Sequence, residues 1–376
     1  MKVLIGLSGG VDSAVAAYLL LKQGYEVEAC FMRNWDAMAN NDYLGNPTVN
    51  DPQCPQEKDY DDAKAVAERL GIPLHRADFV KEYWDKVFSY FLAEYAKGRT
   101  PNPDVYCNKH IKFDSFLRYA KENGFDQIAM GHYAKRGSFE GHEYIYKAHD
   151  RNKDQSYFLS QLNEEQISSC LFPLSDIDKP QVREIAHEIG LSSVMDKKDS
   201  TGVCFIGERN FRQFLRNYFP AQKGKVIEGK TGKVLGEHMG VLYYTIGQRH
   251  GLALGGVSGE EDSPFFIYKK DVKNNILYVA HAGDETLLES DSCRVDGVNW
   301  VGPKPEGSIH VAVKFRYRQA DNPCTLTFEG DGFRLDYDHP VKSVTPGQIA
   351  VVYQGDRMLG GGIIEATYRE GKRTDI

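Results

Sequence analysis

The sequence KVLIGLSGGVDSAVAAYLLL at residues 2–21 decides the fold class. Lys2 to Leu7 is a short run rich in aliphatic residues, which predicts a strand, and a serine and two adjacent glycines follow it. Apolar residues then recur at helical spacing from Val11 until Gly24. A strand, a glycine turn and a helix in this order are typical of the first unit of an open α/β sheet.

The alternation of strands and helices continues along the first half of the chain. The predicted strands are 27–32, 74–79 and 127–130, and the predicted helices are 60–70, 83–97, 112–123, 163–170 and 179–189. This pattern predicts a doubly wound parallel sheet, because parallel strands need helical crossovers between them. Residues 34–58 are rich in Asn, Asp and Pro, and they are predicted to form a long irregular loop over the sheet edge that closes on a ligand.

The chain length of 376 residues predicts two or three domains. After about residue 210, frequent glycines separate short segments, which predicts a small β-rich unit. From about residue 285, alternating runs separated by turns predict a small β-barrel. The predicted domains are therefore 1–209, 210–284 and 285–376.

Composition and charge exclude several classes of protein. The net charge of −7 means that any nucleic-acid contact must use a local basic face, and residues 209–250 contain eight Lys and Arg against two Glu. No uninterrupted apolar run is long enough to span a membrane, and no signal-peptide pattern opens the chain. Seven cysteines are an odd number spread over a long chain, which favours reduced thiols. We therefore expect a cytoplasmic protein.

The octapeptide from Gly6 to Ser13, GLSGGVDS, is the strongest chemical signal. Glycines let the backbone approach a phosphate closely, and the following helix N-terminus supplies positive potential. The octapeptide lacks the Lys of a Walker A motif and the spacing of a Rossmann fingerprint. Asp12 is awkward beside phosphate unless Mg²⁺ bridges the two or the carboxylate handles a proton. The structural alternative is a glycine turn with a Ser or Asp helix cap.

The octapeptide resembles the phosphate loop of the ATP-pyrophosphatase (PP-loop) superfamily. Members of that superfamily cleave ATP between its α and β phosphates to adenylate a carbonyl oxygen. They include small-molecule synthetases and several tRNA-modifying enzymes, so the loop alone does not choose among them.

Two cysteine segments narrow the choice. The segment from Asn102 to Lys109, NPDVYCNK, places Cys107 before a predicted helix and beside two cationic side chains, which would lower the thiol pKa. The segment 199–209, DSTGVCFIGER, places Cys204 in a glycine-bounded turn near an arginine. Taken singly, each cysteine is most simply a small buried hydrophobe. Taken together beside an adenylating loop, they suggest a nucleophile and a sulfur carrier, because a persulfide that attacks an adenylated carbonyl gives a thiocarbonyl.

With these segments the whole chain is similar to the tRNA-specific 2-thiouridylase family. The resemblance rests on the phosphate loop, both cysteine segments, and GHY at 131–133, DRNKDQSY at 150–157 and YTIGQR at 244–249. It implies ATP-dependent 2-thiolation of the wobble uridine in lysine, glutamate and glutamine tRNAs. It also implies ATP with Mg²⁺ as cofactors, tRNA as partner, and an upstream sulfane-sulfur donor, either a cysteine desulfurase or a relay protein.

The resemblance further implies roles for individual residues. ATP would be bound by Gly6, Leu7, Ser8, Gly9, Gly10, Val11, Asp12, Ser13, Met32 and Gly131. Cys107 would be the nucleophile and Cys204 the persulfide carrier, and the two could form a disulfide after sulfur delivery, with a hydrosulfide route as the alternative. The target base would meet Asn102, Pro103 and Asp104, and the tRNA around it would meet His132, Lys153, Asp154, Gln155, Arg316, Tyr317 and Gln348.

Residues 314–318, KFRYR, support an RNA contact independently of the resemblance. Period-2 alternation in a strand would place all three cations on one face beside an aromatic side chain. A solvated edge strand with cations that oppose aggregation is the alternative.

The remaining cysteines are interpreted as packing residues. Cys30 is assigned to a buried strand, Cys170 to a helix, and Cys293 and Cys324 to β segments, while Cys54 in a polar loop is interpreted as incidental. Two other functions remain open from the residues alone. One is a synthetase that uses ammonia on an adenylated small molecule, and the other is a non-enzymatic RNA-binding module that has kept an ATP loop for switching.

Overall fold

The computed structural model describes residues 1–51, 53–198, 206, 209–252, 265–281 and 283–374. The strands of the N-terminal region are β1 (Lys2–Gly6), β2 (Glu26–Arg33), β3 (Leu74–Asp78), β4 (Gln127–Ala129), β5 (Ala134–Phe139), β6 (His142–Lys147) and β7 (Cys170–Leu171). Five of them form a parallel sheet in the order β3-β2-β1-β4-β7. The carboxyl ends of these strands therefore meet at one edge, where open α/β sheets bind their ligands.

Helices cover both faces of this sheet. They are α1 (Val11–Lys22), α2 (Pro55–Leu70), α3 (Val80–Tyr83), α4 (Ser89–Ala96), α5 (Pro103–Cys107), α6 (Phe116–Glu122), α7 (Glu164–Ser168) and α8 (Lys179–Glu188). Stretches of π-helix at 84–88 and 108–115 join α3 to α4 and α5 to α6. Along β1, Val3 and Ile5 pack with α1, α2 and α8, whereas Leu4 points to the core on the other face with the helices of residues 80–122.

The middle of the chain forms a second, smaller sheet. After the short helix α9 (Phe211–Leu215) come β8 (Gly224–Glu228), β9 (Val234–His238), β10 (Phe265–Asp271) and β11 (Ile276–His281). Their order is β10-β11-β8-β9, with β11 and β8 parallel and the other pairs antiparallel.

The C-terminal part is a closed six-stranded antiparallel barrel. Its strands are β12 (Glu289–Trp300), β13 (Ile309–Lys314), β14 (Asn322–Glu329), β15 (Gly332–Lys342), β16 (Ile349–Gln354) and β17 (Arg357–Arg369), with β18 (Lys372–Arg373) paired to β17. Pairing of β12 with β17 closes the barrel. The hairpin of β5 and β6 leaves the N-terminal region and joins β17 at Tyr146 and Arg357.

The predicted fold class is confirmed, and several local predictions are wrong. The helix predicted at 60–70 begins five residues earlier, because Pro55 is favourable in a first helical turn; it ends at Gly71, whose φ is +68°. Cys170 lies in β7 rather than in a helix, since the preceding helix α7 ends at Ser168. Residues 315–318 form a turn rather than a strand, as described below. The domain boundaries at 209 and 284 stay a prediction.

A helix that crosses a membrane must be both long and apolar. Within the ranges that the structure describes, none is both long and apolar enough to cross a membrane.

Candidate active site

The loop between β1 and α1 is fixed by its own hydroxyl groups. Ser13 Oγ donates a hydrogen bond to the Gly10 carbonyl (3.0 Å) and accepts one from the Ser8 N–H (3.2 Å). Gly9 has a φ of +71°, and a Cβ there would lie 2.3 Å from the Asp59 carbonyl oxygen. The twelve-residue helix α1 starts directly after Gly10, which offers no side chain to its first N–H groups. The loop can therefore present several N–H donors to an anion.

Gly6, Met32 and Gly131 meet this loop at the carboxyl edge of the sheet. A Cβ on Gly6 would lie 3.0 Å from both Met32 Cε and Met130 Sδ, and one on Gly131 would lie 2.8 Å from the Ser13 nitrogen. The structure thus brings together the predicted ATP-binding residues from three adjacent strands.

Two of the predicted ATP-binding residues face the core. The side chains of Leu7 and Val11 are buried among the residues packed between the sheet and α1. Only their backbone groups could reach a ligand.

Asp12 is paired within the protein. Its Oδ1 atom accepts a hydrogen bond from the Tyr133 hydroxyl (2.8 Å) and another from Lys179 Nζ (2.7 Å). The Lys179 side chain is 9% exposed and the Asp12 side chain 34%, so water screens this ion pair only from the side of Asp12. The carboxylate that looked awkward beside phosphate is therefore compensated by a cation at the first turn of α8.

Cys107 lies inside a helical stretch, so its predicted place before a helix is wrong. Asn102 Oδ1 accepts a hydrogen bond from the Val105 N–H, and Pro103 occupies the first turn, so the stretch begins at Pro103 and runs without a break to Glu122. Cys107 is fully buried one turn inside it. Cys107 and Asp104 are three residues apart, which places them on the same face of the helix.

Burial lowers the pKa of both basic neighbours of Cys107, which are Lys109 and His110. Burial lowers the pKa of Lys109, whose Nζ donates to Gln161 Oε1 (3.3 Å). Burial, together with the charges of Lys109 and Lys86, lowers the pKa of His110 below its ordinary value of 6.5. The His110 ring is therefore neutral at pH 7, and the predicted pair of cations beside the thiol is reduced to one.

A cavity of about 290 Å³ joins the N-terminal region, the middle sheet and the barrel. It is lined by Thr100, Asn102, Asp104, Phe158, Thr245, Arg316, Tyr317, Thr345 and Gln348. Five of these residues are among those predicted from the resemblance to contact the base or the tRNA. Asn102 and Asp104 are more than 200 residues from Arg316, Tyr317 and Gln348 in sequence, so only the fold brings the two groups together.

Hydrogen bonds between distant segments hold the walls of this cavity. Gln348 Nε2 donates to the Thr100 carbonyl (2.8 Å), and Arg316 Nη2 donates to the Ser343 carbonyl (2.9 Å). The Tyr317 ring lies 4.5 Å from that of Phe158 between centroids. The cavity therefore has an aromatic side and a cationic side, which suits a nucleobase beside a phosphate.

The turn at 315–318 explains why the strand prediction failed. Phe315 is buried in the barrel core, whereas Arg316 reaches across to Ser343 and Thr345 (3.2 Å to Oγ1). Lys314, at the end of β13, lies 3.6 Å from the buried Asp154 carboxylate. Lys314 and Arg316 thus have separate partners and do not form one basic strip.

The other predicted tRNA contacts lie beside the phosphate loop and the cavity. His132 is buried, which lowers its pKa well below 6.5, and its Nδ1 atom has no hydrogen-bond partner among the described residues. The Asp154 carboxylate accepts from the Ala148 N–H (3.0 Å) and the Ser156 hydroxyl (2.9 Å). Gln155 Oε1 accepts from the Tyr133 N–H. Lys153 accepts through its carbonyl from the Tyr317 hydroxyl (3.2 Å), which links the DRNKDQSY segment to the barrel.

The second cysteine segment lies mostly outside the described residues. This applies to Cys204 and to its neighbours in 199–205. The structure describes Lys197 and Lys198 directly before the segment and Arg209 at its end.

The family comparisons cover nearly all of the chain. Residues 1–208 match the family described as the tRNA methyl transferase HUP domain, 212–281 the tRNA methyl transferase PRC-barrel domain, and 290–364 the aminomethyltransferase beta-barrel domain. The chain is 54% identical over 374 residues to the tRNA-specific 2-thiouridylase MnmA of Mycoplasma capricolum subsp. capricolum, which covers 97% of this chain and 98% of that protein. The chain belongs to the tRNA-specific 2-thiouridylase family.

The 2-thiouridylases of two other bacteria are also similar to this chain. The chain is 50% identical over 372 residues to the enzyme of Shewanella putrefaciens (98% of this chain, 97% of that protein) and 49% identical over 373 residues to that of Acholeplasma laidlawii (99% and 98%). The resemblance found in the motifs is therefore confirmed, and so is the enzyme class, a tRNA sulfurtransferase. The ammonia-dependent synthetase and the non-enzymatic RNA-binding module are excluded.

Two residues that contact the phosphate loop were missed in the sequence. Tyr133 and Lys179 both hold Asp12, yet neither belongs to the phosphate loop. Lys179 did leave a signal, because a lysine in the first turn of a helix opposes the helix dipole and needs an anionic partner. The choice of Asp12 as that partner depends on the packing of α8 against α1, which local sequence does not encode.

A second cleft beside this cavity is larger and more basic. It has a volume of about 600 Å³ and shares Thr245 with the first cavity. It is lined by Asn210, Phe211, Arg212, Gln213, Arg216, Met239, Tyr243, Thr245 and Gln248. Part of the cationic excess in residues 209–250 thus lines a groove that continues from the cavity.

Lys270 holds the YTIGQR segment beside both cavities, and it gives a testable pH dependence. It is buried in β10, its Nζ donates to the Tyr244 carbonyl (2.9 Å), and burial lowers its pKa to about 8. Between pH 8 and about 10.5 the unfolded chain keeps a proton that the folded chain has lost, so stability gains from rising pH in this window. Lys270→Met should remove this contribution in thermal unfolding scans. The exposed Lys273→Met should retain it, and an unchanged profile in Lys270→Met would contradict the assignment.

Proposed function

We propose that this enzyme replaces the C2 oxygen of the wobble uridine in lysine, glutamate and glutamine tRNAs by sulfur, with consumption of ATP. The observation that supports this most directly is the cavity in which Asn102 and Asp104 face Arg316, Tyr317 and Gln348, one helical turn from Cys107. It joins the helix of the proposed nucleophile to the barrel residues proposed to contact tRNA. Family membership supplies the substrate class.

ATP is proposed to bind at the carboxyl edge of the parallel sheet. The N–H groups around Ser8, Gly9 and Gly10 would receive its phosphates, and Met32 and Gly131 would form the walls of the nucleotide site. Mg²⁺, when bound, would neutralise the phosphate charge. Asp12 would be its carboxylate ligand, through the oxygen other than the Oδ1 that Tyr133 and Lys179 hold, together with the ATP phosphates and water.

Adenylation makes the C2 oxygen a good leaving group. The uridine oxygen attacks the α-phosphate, the bond to the β-phosphate breaks, and pyrophosphate leaves. Asn102 and Asp104 would hold the base, and the Phe158–Tyr317 pair would stack on it or on its neighbour. AMP then leaves C2 far more readily than oxide could, which is why the ATP step precedes sulfur transfer.

Sulfur is proposed to arrive as a persulfide on Cys204. Its terminal sulfur attacks C2, AMP departs, and the Cys107 thiolate attacks Cys204 Sγ and breaks the S–S bond. The products are 2-thiouridine and a Cys107–Cys204 disulfide, which an external thiol must reduce before the next turnover. In the alternative order, Cys107 attacks first and releases hydrosulfide, which then attacks C2.

Nucleoside mass spectrometry tests the proposed function. Unmodified lysine, glutamate and glutamine tRNAs would be incubated with the enzyme, ATP, Mg²⁺, a sulfane-sulfur donor and a thiol reductant. We expect 2-thiouridine at the wobble position and one pyrophosphate per thiouridine, and neither product without ATP. Sulfur at another position, or thiouridine formed without ATP, would contradict the proposal.

A further inference from the structure

The two described flanks of the Cys204 segment are tied to different parts of the N-terminal domain. The first flank ends at Lys198, directly before the segment, and includes Lys197, and the second begins at Arg209, five residues after Cys204. Hydrogen bonds of Lys197 and Arg209 hold the two flanks in place.

Lys197 joins its flank to the phosphate loop. Its Nζ donates to the Gly9 carbonyl (2.9 Å), to Asp59 Oδ1 (2.7 Å) and to Asp62 Oδ2 (2.7 Å), which accounts for all three ammonium hydrogens. Burial disfavours the ammonium form, but the hydrogen bonds that Lys197 donates to the two carboxylates outweigh it, and the pKa of Lys197 is raised. The side chain is 36% exposed and is therefore a bridge at the surface, not part of the core.

The backbone near Lys197 is held by α8. Arg183 donates from Nη1 to the Met195 carbonyl (2.9 Å) and from Nη2 to the Lys197 carbonyl (3.2 Å). The same helix provides Lys179, which binds Asp12. One helix thus holds both the Asp12 carboxylate of the phosphate loop and the chain that leads to Cys204.

Arg209 ties the second flank to the 34–51 loop. Its Nε and Nη2 atoms both donate to Asp42 Oδ2 (3.0 and 2.9 Å), and Trp35 Nε1 donates to the same oxygen (3.0 Å). Asp42 is fully buried and the Arg209 side chain is 7% exposed. The next residue, Asn210, donates its N–H to the Gly45 carbonyl (2.9 Å). A buried pair of this kind fixes geometry, because a displaced charge would be left without compensation.

We propose that Lys197 and Arg209 are positioning residues for sulfur delivery. They fix the two flanks of the Cys204 segment, and Lys197 fixes its flank directly to the phosphate loop. The proposal rests on the proposed function of Cys204 as sulfur carrier. Its chemical consequence is that sulfur transfer is coupled to adenylation. The persulfide must reach the adenylated base before water hydrolyses the adenylate. The phosphate loop, α2 and α8 form a shared frame that positions the two groups for this reaction.

The test measures 2-thiouridine formed per pyrophosphate released, at saturating tRNA and ATP with a sulfane-sulfur donor. A general loss of folded enzyme lowers both products equally and leaves this ratio unchanged. We expect the ratio to fall about fivefold or more in Lys197→Met and in Arg209→Lys. Lys197→Arg should restore most of it, because a guanidinium can reach the same acceptors. The matched control is Lys64→Met, on an exposed position of α2.

The outcomes separate this proposal from the proposed function. An unchanged ratio in both variants, while Cys204→Ser gives no thiouridine, overturns the positioning role alone. A higher KM for ATP with an unchanged ratio assigns Lys197 to ATP binding and also overturns it. Thiouridine formation by Cys204→Ser overturns the proposed function itself. If Lys197→Met does not fold, Asp62→Asn weakens one of the three contacts of Lys197 and should lower the ratio in the same direction.

Discussion

Cys204→Ser should abolish 2-thiouridine formation, by about 10³-fold or more, and still release pyrophosphate in the presence of tRNA and ATP. The reason is that adenylation precedes sulfur transfer and does not require Cys204. Adenylation uses the phosphate loop and the uridine oxygen, whereas the sulfur that replaces that oxygen has no carrier in this variant. Nucleoside mass spectrometry and a pyrophosphate assay on the same reaction measure both steps.

Two further cysteine variants complete this experiment. Cys107→Ser should also lose thiouridine, because the transferred sulfur stays bonded to Cys204. Attack on C2 before the Cys107 step predicts a covalent Cys204–tRNA adduct, and hydrosulfide release before attack on C2 predicts a Cys204 persulfide, one sulfur atom heavier in the intact protein. Cys54→Ser is the matched control, because Cys54 is exposed at the start of α2, and it should retain full activity. Full thiouridine formation by Cys204→Ser would refute the role of Cys204.

Gly9→Ala should reduce ATP-dependent pyrophosphate release by about 100-fold or more. A Cβ at this position would lie 2.3 Å from the Asp59 carbonyl oxygen, in contact with backbone that cannot rotate away. The φ of +71° adds about 1–2 kcal/mol of strain for a residue with a side chain. The loop must therefore shift, and its N–H groups would no longer point toward the phosphates of ATP.

Two glycine variants separate the effect of the contact from that of the dihedral angle. Gly24 also has a positive φ, +85°, but a Cβ there would meet no atom of the described residues within 4 Å, so Gly24→Ala should cost some stability and leave ATP turnover unchanged. Gly10→Ala adds a methyl group inside the phosphate loop at an ordinary 3.5 Å from Ser8 Oγ, and it should have a milder effect than Gly9→Ala. Equal activity in Gly9→Ala and Gly24→Ala would contradict the assigned role of the loop.

The parallel sheet and the phosphate loop were predictable because their signals are local. A strand, two glycines and a helix occupy only residues 2–21, and each dictates its own conformation. The glycine that ends α2 was predictable for the same reason, since Gly71 adopts the left-handed conformation that closes helices.

The surroundings of Cys107 were only partly predictable. Asn102 and Pro103 are a recognisable helix start, and giving them due weight would have placed the thiol within the first turns. The turn at Arg316, in contrast, depends on residues that are distant in sequence. Alternation of charge and aromatic residues predicts a strand there, and the partners that override it, Ser343 and Thr345, are about 30 residues away.

The cavity itself could not be derived from local sequence. Its walls come from residues around 100, 158, 245, 316 and 345, and they meet because the barrel packs on the N-terminal region. The contact between Gln348 and Thr100 is one such link, over a separation of 248 residues. Only the family resemblance predicted that Asn102 and Arg316 both contact the tRNA.

The most direct test of the proposed chemistry follows the oxygen atom that leaves uridine. An anticodon stem-loop RNA that carries ¹⁸O at the C2 position of the wobble uridine would be incubated with enzyme, ATP, Mg²⁺, a sulfane-sulfur donor and a thiol reductant. Mass spectrometry would then measure ¹⁸O in the AMP and sulfur in the nucleoside. Adenylation of the C2 oxygen predicts one ¹⁸O atom in the AMP for each 2-thiouridine formed. Unlabelled AMP accompanied by 2-thiouridine would contradict it.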